Sequence, residues 1–216
     1  ESGYSESVIG KAIFEFKRVS ALNPTDDLYP INRAVYSVLR YGVKVKDDET
    51  NLTLTVWLID WKNPLRNNFF VAEEVTVKGE NTKRPDIVLY VNGIALSVLE
   101  LKRASVSVAE GIRQNLDNQH HRFIKPFFST VQIVLAGNDS QGLYYGTTKT
   151  PEKFFLKWKE DNYTNNPDKN ILDQHLLQFC QKDRFLELIH DFIVFDAGVK
   201  KLCRPNQFFG VKAAQQ

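Results

Sequence analysis

Arg84-Pro85-Asp86-Ile87-Val88-Leu89-Tyr90-Val91-Asn92-Gly93-Ile94-Ala95-Leu96-Ser97-Val98-Leu99-Glu100-Leu101-Lys102 is the stretch that decides the fold. Two apolar runs flank an Asn-Gly pair, which is the strongest short-range signal for two strands joined by a tight turn. The ionisable side chains stand only at the ends that meet, with Asp86 on one strand and Glu100 and Lys102 on the other. Such residues are poor strand formers and are almost never buried unpaired, so their presence at the base of an apolar hairpin indicates chemistry.

Two carboxylates beside one ammonium are typical of a magnesium site. Mg²⁺ prefers oxygen ligands and shares one or two carboxylates with waters and a substrate phosphate. Glu100 and Lys102 lie on one face of a strand, because side chains alternate. The alternative is a solvated sheet rim, which is the usual role of a chance Glu-x-Lys pair. The preceding Pro85-Asp86 and the apolar residues between the charges favour the metal site.

The layout resembles that of PD-(D/E)xK nucleases, with Pro85-Asp86 followed by Glu100-Leu101-Lys102. Longer segments resemble R subunits of type I restriction endonucleases, and together they span about residues 30 to 160. These segments are residues 58–69, 75–77, 83–93, 127–139 and 145–147.

The resemblance implies Mg²⁺-dependent cleavage of double-stranded DNA phosphodiester bonds. It implies that Asp86, Glu100 and the backbone carbonyl of Leu101 bind the metal. Lys102 then orients the attacking water and neutralises developing charge. The pair Glu73-Glu74 is a weaker candidate for a further acid. A catalytically inactive nuclease-like module that binds DNA or a partner subunit is the alternative function.

Other residues near the hairpin are candidates for DNA contacts. In the resembling family a Gln-x-x-x-Tyr element follows the Glu-x-Lys strand and helps to hold DNA. Gln114 matches its first position, whereas Asn118 occupies the position of the Tyr, and an exposed helix amide is the alternative for Gln114. Arg84, Arg103 and Arg113 flank the site and are candidates for phosphate contacts, although solvated arginines are common.

Composition limits the classes of protein and partner. The 216 residues are 43% hydrophobic and carry a net charge of +2, which predicts one domain with a large core and DNA affinity from a local basic stripe only. Cys180 and Cys203 lack the spacing of a metal site or a disulfide framework, which fits a reducing cytoplasm. No apolar run approaches the length of a membrane span, so we expect no membrane contact and a cytoplasmic location.

The ends of the chain suggest a piece of a longer protein. The sequence contains no Met and begins at Glu1, and residues 204–214 resemble the Gln-bearing segment that precedes the ATP-dependent motor of R subunits, with a frayed terminus as the alternative. No phosphate-binding G-x-x-x-x-G-K-[ST] loop occurs, so ATP use is assigned to that motor. We therefore expect an endonuclease domain over 1–160 and a helical linker region over 161–216. The resemblance implies modification and specificity subunits and the chain's own C-terminal motor domains as partners, besides DNA.

Hydrophobic periodicity predicts an α/β fold, with a mixed β-sheet flanked by helices and a helical C-terminal region around a restriction-endonuclease-like core. The predicted helices are 5–19, 31–40, one over 107–121 capped by Ser107, one starting at Thr150-Pro151, and further ones within 172–192. The predicted strands are 52–60, 69–77, the two strands of the hairpin, 127–135 and 143–147. A polar linker is predicted over 162–170.

The hairpin poses a geometric problem. An ideal two-residue turn pairs Val91 with Ile94 and therefore Asp86 with Leu99, which turns Glu100 to the other face of the sheet. A shared metal site then cannot form. One extra residue on the second strand, in a three-residue loop or a β-bulge between Ile94 and Leu99, corrects the facing. The sequence therefore predicts such an irregularity.

Overall fold

A computed structural model describes residues 3–23, 25–160 and 170–215. The helices and strands follow one another along the chain as α1 (Glu6–Ser20), α2 (Leu28–Tyr41), β1 (Val43–Lys46), β2 (Thr53–Val56), β3 (Phe69–Glu73), β4 (Ile87–Val91), β5 (Ile94–Leu101), α3 (Val108–Asn118), β6 (Ile133–Asn138), β7 (Gly142–Gly146), β8 (Leu156–Lys157), α4 (Ile171–Phe179), α5 (Lys182–Asp191), β9 (Ile193–Asp196), β10 (Val199–Leu202) and α6 (Pro205–Ala214). None of the helices in these ranges has the length and apolar composition that a membrane crossing needs.

The centre of the molecule is a six-stranded mixed sheet in the order β3-β4-β5-β6-β7-β8. β5 and β6 are parallel, and every other neighbouring pair is antiparallel. Parallel neighbours need a crossover connection, and here α3 lies in that crossover. β6 is buried at every position, as expected for a strand covered on both faces. The predicted mixed α/β architecture is confirmed.

Each face of the sheet has its own apolar cluster. Leu99 and Leu135 pack into the cluster formed with α2 and the C-terminal helices. Val98 and Val134 pack into the opposite cluster, which contains Ile112 of α3. Adjacent residues thus enter different clusters, as strand geometry requires. The face of the sheet that carries α3 is also the face of the candidate site.

The C-terminal region packs onto the face opposite α3. Its buried side chains share one cluster with residues of the central sheet, namely Leu172, Phe179, Phe185, Leu186, Leu188, Ile189, Ile193 and Phe208. The predicted helices within 172–192 are α4 and α5. Two elements were not predicted as such: the β9–β10 hairpin, and the helix α6 where a frayed terminus was the alternative.

Lys200 of β10 is a buried lysine that joins the C-terminal hairpin to the sheet. Its Nζ donates hydrogen bonds to Asn32 Oδ1 at 2.8 Å and to the side-chain and backbone oxygens of Gln132 at 2.8 and 3.0 Å. Burial holds the pKa of Lys200 well below its usual value. Three neutral acceptors thus satisfy the ammonium group in place of a carboxylate.

Three predictions of the first half of the chain need correction. The strand predicted over 52–60 is only Thr53–Val56, and it pairs with β1 in a separate two-stranded sheet. The strand predicted to run from 69 to 77 ends at Glu73, because Glu74 adopts a left-handed φ of 51°. The helix predicted to reach residue 121 ends at Asn118, although Ser107 caps its start as expected.

Three further predictions concern residues after α3. Residues 127–135 are not one strand, because a 3-10 turn over Lys125–Ser129 comes first and β6 starts at Ile133. The helix predicted at residue 150 is a single 3-10 turn, Glu152–Phe154. The linker predicted over 162–170 lies outside the described residues, apart from Asn170, whose side chain caps α4.

Candidate active site

The β4–β5 hairpin contains the predicted irregularity as a β-bulge. Leu89 pairs with Ser97, but Tyr90 pairs with Ala95, so Leu96 has no partner on β4. The turn itself keeps two residues, and Asn92 and Gly93 both have positive φ, at 50° and 81°, as a type I′ turn requires. The predicted extra residue is therefore confirmed, in the strand and not in the loop.

The bulge changes which side chains of β5 face α3. Ala95 and Val98 pack in the same cluster although three positions separate them, whereas strict alternation would place them on opposite faces. Beyond the bulge Ile87 pairs with Leu99, and the next positions along the two strands are Asp86 and Glu100. The bulge thus brings both carboxylates to the face that carries α3.

Glu100 is a fully buried carboxyl group. Its exposed fraction is 0%, and its Oε2 accepts a hydrogen bond of 2.6 Å from Gln114 Nε2. Its Oε1 is buried without a hydrogen-bond partner. Burial, and next the charge of Asp86, raise the pKa of Glu100 to about 8, against the opposing attraction of Lys102 and Lys83. Without a cation, the site therefore holds Glu100 largely protonated at neutral pH.

Asp86 and Lys102 complete the predicted triplet. Asp86 Oδ2 accepts a hydrogen bond of 2.7 Å from the backbone N–H of Leu101, which fixes the carboxylate beside the second strand. Lys102 Nζ lies 3.9 Å from Glu100 Oε2, and its backbone N–H donates to the carbonyl of Gly137 at 2.9 Å. The structure thus brings Asp86, Glu100 and Lys102 together, with the Leu101 peptide between them.

Gln114 lies inside this site, not on an exposed helix face. Its Oε1 accepts a hydrogen bond of 2.7 Å from Lys102 Nζ, while its Nε2 donates to Glu100. One amide therefore bridges the acid and the ammonium. Gly111, one turn earlier on α3, packs closely against β5 and β6, since a Cβ there would lie 3.3 Å from the Cβ of Ala136 and 3.4 Å from the carbonyl oxygen of Glu100.

Asn118, one turn after Gln114 on α3, is buried in the protein. It is 1% exposed, and its Oδ1 is buried without a hydrogen-bond partner. Its backbone carbonyl accepts the N–H of Ile124 in the turn after α3. The side chain of Asn118 is therefore buried in the protein and is not an exposed contact for DNA.

The three candidate arginines differ in their surroundings. Arg84 forms an ion pair with Glu74 at 3.3 Å, and Arg113 forms ion pairs with Glu110 and Glu152 at 3.4 and 3.5 Å. Arg103 is exposed in the loop that follows β5. Two of the three are thus already neutralised locally by carboxylates.

Lys83 is a site neighbour that the sequence analysis did not single out. Its charge reaches Glu100 and lowers the pKa of that group. Lys83 begins the resembling segment 83–93 and lies two residues before Pro85-Asp86, but neither fact reveals the direction of its side chain.

The donor set fits a hard divalent cation held by few protein ligands. A buried carboxylate oxygen without a partner, beside a second carboxylate, is the arrangement that Mg²⁺ would complete. Within the described ranges no group of three or more His, Cys, Asp or Glu side chains is placed to hold a metal. Glu73 and Glu74 therefore do not join Asp86 and Glu100 in such a group, and backbone carbonyl, water or phosphate oxygens would supply the remaining ligands.

Comparison with known proteins gives a consistent result. The model of the family described as the type I restriction enzyme R protein N terminus matches residues 7–153. The chain is 29% identical over 164 residues to the type I restriction enzyme EcoprrI endonuclease subunit of Escherichia coli, covering 70% of this chain and 50% of the relative. It is 25% identical over 205 residues to the HindI endonuclease subunit of Haemophilus influenzae, covering 87% of this chain and 19% of the relative.

A third relative is a type I restriction enzyme endonuclease subunit of Staphylococcus aureus, 24% identical over 217 residues, which cover 96% of this chain and 20% of the relative. The chain thus spans about half the length of one curated relative and about a fifth of the two others. The family match includes both strands of the bulged hairpin and α3, so it contains Asp86, Glu100, Lys102 and Gln114. This chain belongs to the family of type I restriction enzyme R protein N-terminal domains.

Proposed function

We propose that this chain is the nuclease part of a type I restriction enzyme and that it hydrolyses phosphodiester bonds of double-stranded DNA with Mg²⁺. The observation that carries the proposal is the buried Glu100 Oε1, which has no partner while Asp86 and Lys102 lie beside it. A purely structural carboxyl group in a core would be hydrogen-bonded through both oxygens. Strongly perturbed acids in such surroundings are characteristic of functional sites.

Asp86, Glu100 and the backbone carbonyl of Leu101 would hold the cation. Bound there, Mg²⁺ would polarise the scissile phosphate and stabilise the charge on its oxygens. Asp86 is already oriented by the Leu101 N–H, and Glu100 is oriented by Gln114. The acids therefore need little rearrangement to act together.

Lys102 would act as a positioned positive charge. Gln114 Oε1 holds its Nζ at 2.7 Å, on the same side of the sheet as Glu100. From there the ammonium can hold the attacking water and oppose the negative charge that develops on the phosphate. Gln114 is thus a positioning residue for both Glu100 and Lys102, and a DNA contact would be a further role.

Loss of the Glu100 proton accompanies assembly of the active site. The group is largely protonated near neutral pH because burial and Asp86 raise its pKa to about 8. Carboxylates bind cations in their ionised form, so metal binding releases this proton. Metal affinity therefore rises with pH up to about that value.

The remaining activities of a type I enzyme would belong to other parts of the assembly. The relatives are named endonuclease subunits, and this chain spans only part of their length. We infer that modification and specificity subunits select the DNA, and that the chain's own C-terminal motor domains use ATP. The cysteines of the described residues, Cys180 and Cys203, are unpaired, which suits action in a reducing cytoplasm.

The test combines metal binding with DNA cleavage. Isothermal titration of the chain with Mg²⁺ should show one site in the wild type and none in Glu100→Gln, which keeps the shape but loses the charge. Glu152→Gln, an exposed acid on a neighbouring turn, is the matched control and should bind as the wild type does. Plasmid cleavage with Mg²⁺ or Mn²⁺ by the assembled enzyme should follow the same pattern. Wild-type cleavage by Glu100→Gln would reject the nuclease site, and absence of metal binding in the wild type would favour the inactive module.

A further inference from the structure

Beside the candidate active site, two cations lie against one aromatic ring. Lys83 Nζ is 4.1 Å from the centroid of the Phe123 ring, and Arg122 Cζ is 4.9 Å from it. Both distances are within the range of cation–π contacts. We call the group Lys83, Arg122 and Phe123 the cationic corner.

The backbone that carries the cationic corner consists of two segments, which hydrogen bonds join to each other. Val77 and Lys83 form an antiparallel bridge, with reciprocal hydrogen bonds of 2.9 and 3.1 Å, that closes a small hairpin. In this hairpin Asn81 donates from its backbone N–H and its Nδ2 to the carbonyl of Arg122, at 3.1 and 2.7 Å. At Gly79 a Cβ would lie 2.1 Å from the Phe123 carbonyl oxygen, so only glycine permits this approach. The two cations are thus carried by one fixed unit.

The cationic corner is built from two segments that are connected to the candidate catalytic residues, one before Asp86 and one after α3. Lys83 lies three residues before Asp86, and its charge is felt at Glu100. Arg122 and Phe123 follow α3, the helix that carries Gln114. The hairpin and the turn after α3 therefore extend the surface that begins at the site.

The charges of the cationic corner are not neutralised by acids. Among the described residues, neither Lys83 nor Arg122 forms an ion pair, in contrast to Arg84 and Arg113, which do. Glu80, the acid of the small hairpin, is exposed and forms no ion pair within the described ranges. In a chain with a net charge of only +2, such local excess is where a polyanion would bind.

We propose that Lys83 and Arg122 each bind a non-scissile backbone phosphate of the DNA strand that enters the active site. This inference rests on the proposed nuclease function and adds a substrate contact to it. Contacts to phosphates fix the register of the duplex without reading its sequence, which suits a nuclease whose target is chosen elsewhere. Both cations contact the Phe123 ring, so the two charges belong to one small surface that can meet phosphates of one strand.

The test measures DNA affinity as a function of salt. Lys83→Gln with Arg122→Gln removes both charges but keeps the side-chain stems. The control is Lys44→Gln with Arg33→Gln, which removes the same charge from exposed positions on β1 and α2. A fluorescent duplex oligonucleotide without divalent metal is titrated with each chain, and thermal unfolding verifies that all variants fold.

The slope of log affinity against log salt should become shallower by about 2 in the first variant, because each lost phosphate contact contributes about 0.9. The slope of the control should equal that of the wild type. Equal slopes for the two double variants would overturn the proposal, and so would a wild-type chain that binds no DNA at low salt.

Calorimetric Mg²⁺ binding separates this inference from the proposed function. The Lys83/Arg122 variant should bind Mg²⁺ as the wild type does, since neither residue is a ligand. A wild type that binds DNA through the cationic corner but neither binds Mg²⁺ nor cleaves DNA would retain the phosphate site and reject the nuclease.

Discussion

At the scale of single residues, the site depends on one amide that holds two opposite charges. Gln114 presents its oxygen to Lys102 and its nitrogen to Glu100, and this polarity is the only one that satisfies both. The amide oxygen therefore faces the ammonium group of Lys102, and the amide nitrogen faces the carboxyl group of Glu100. A side chain with two identical ends, such as Glu, would lack a donor for Glu100.

Lys102→Ala tests the role of the ammonium. We expect cleavage by the assembled enzyme to fall by at least 100-fold, because preorganised charges of this kind contribute about that much or more. Folding and Mg²⁺ binding should be largely preserved, since Asp86 and Glu100 remain. The comparison is made by plasmid cleavage, with calorimetry as the control. Cleavage at the wild-type rate would contradict the assignment.

The pKa of Glu100 predicts a pH-dependent stability without metal. Burial raises this pKa from 4.5 to about 8, so the unfolded chain releases the proton more readily than the folded chain. The stabilisation is complete below pH 4.5 and is lost as pH rises towards 8, by up to about 1.4 kcal/mol per unit.

Two other buried groups change stability in the opposite sense. The lowered pKa values of His175 and Lys200 make stability rise with pH, and His175, with a pKa of about 4, does so mainly below its usual 6.5. The useful quantity is therefore the difference between the wild type and Glu100→Gln in urea unfolding from pH 6.5 to 8. The wild type should become less stable relative to Glu100→Gln as pH rises, and Mg²⁺ should reduce this loss of stability. A difference that is constant with pH would show that Glu100 does not titrate in this range.

At the scale of elements, the bulge in β5 places the Asp86 and Glu100 carboxyl groups on the same face of the hairpin. Leu96 is completely buried and packs on the face opposite α3, so it is both the extra residue and part of the core. Its side chain therefore contributes to stability, while its exclusion from the strand pairing determines the facing of Glu100.

Two changes at Leu96 separate these contributions. Leu96→Ala keeps the residue count and should lower the free energy of unfolding by about 2–5 kcal/mol, while Mg²⁺ still binds. Deletion of Leu96 removes the bulge and leaves Asp86 opposite Glu100 in a strictly paired hairpin, so Mg²⁺ should still bind if the chain folds. Calorimetry and urea unfolding report the two effects. Loss of metal binding in a folded deletion variant would mean that the register adjusts elsewhere.

Part of this architecture was accessible from the sequence. The Asn-Gly turn and the positions of the charges predicted the hairpin, and the need to face Asp86 with Glu100 predicted the irregularity. The strand predicted over 127–135 was wrong at its start, since apolar residues of a 3-10 turn look like a strand until Pro126 is weighed. No local sequence pattern indicates that β2 pairs with β1 outside the main sheet, because strand pairing depends on long-range contacts.

The sequence alone could not predict the bridge made by Gln114 or the proximity of Lys83 to Glu100, for the same reason. Both depend on how α3 and the small hairpin are placed against the sheet. Hydrophobic periodicity predicts Gln114 on a helix, but the direction of its amide depends on how α3 packs on β5, which places Lys102 and Glu100 within hydrogen-bond distance.

At the scale of the whole molecule, the sheet is covered on one side by residues far along the chain. Phe179, Leu188 and Phe208 share a core cluster with Leu99 and Tyr145 of the sheet. Tyr145 also donates a hydrogen bond of 2.8 Å from its hydroxyl to the carbonyl of Cys203. The region predicted as a linker thus includes segments that shield the back of the site.

Truncation after residue 160 tests how far the fold of residues 1–160 depends on this cover. We expect the shortened chain to unfold at markedly lower urea concentration than residues 1–216, or to aggregate, because a large apolar face of the sheet becomes exposed. Circular dichroism and size-exclusion chromatography would show this. A truncated chain as stable as the full one would support 1–160 as an independent domain.

The unpaired Leu96 also imposes a parity rule on the hairpin. Two residues that face each other across an unbulged two-residue turn are separated in sequence by an even number of residues, whereas Asp86 and Glu100 are separated by an odd number. Lengthening both strands equally preserves the parity, and a single insertion or deletion reverses it. A transplanted hairpin that keeps the two-residue turn and one single-residue bulge should therefore support metal binding when an odd number of residues separates its two acids, whatever its length. With an even number of residues between them, the two acids face each other only if the hairpin has no bulge or a second one.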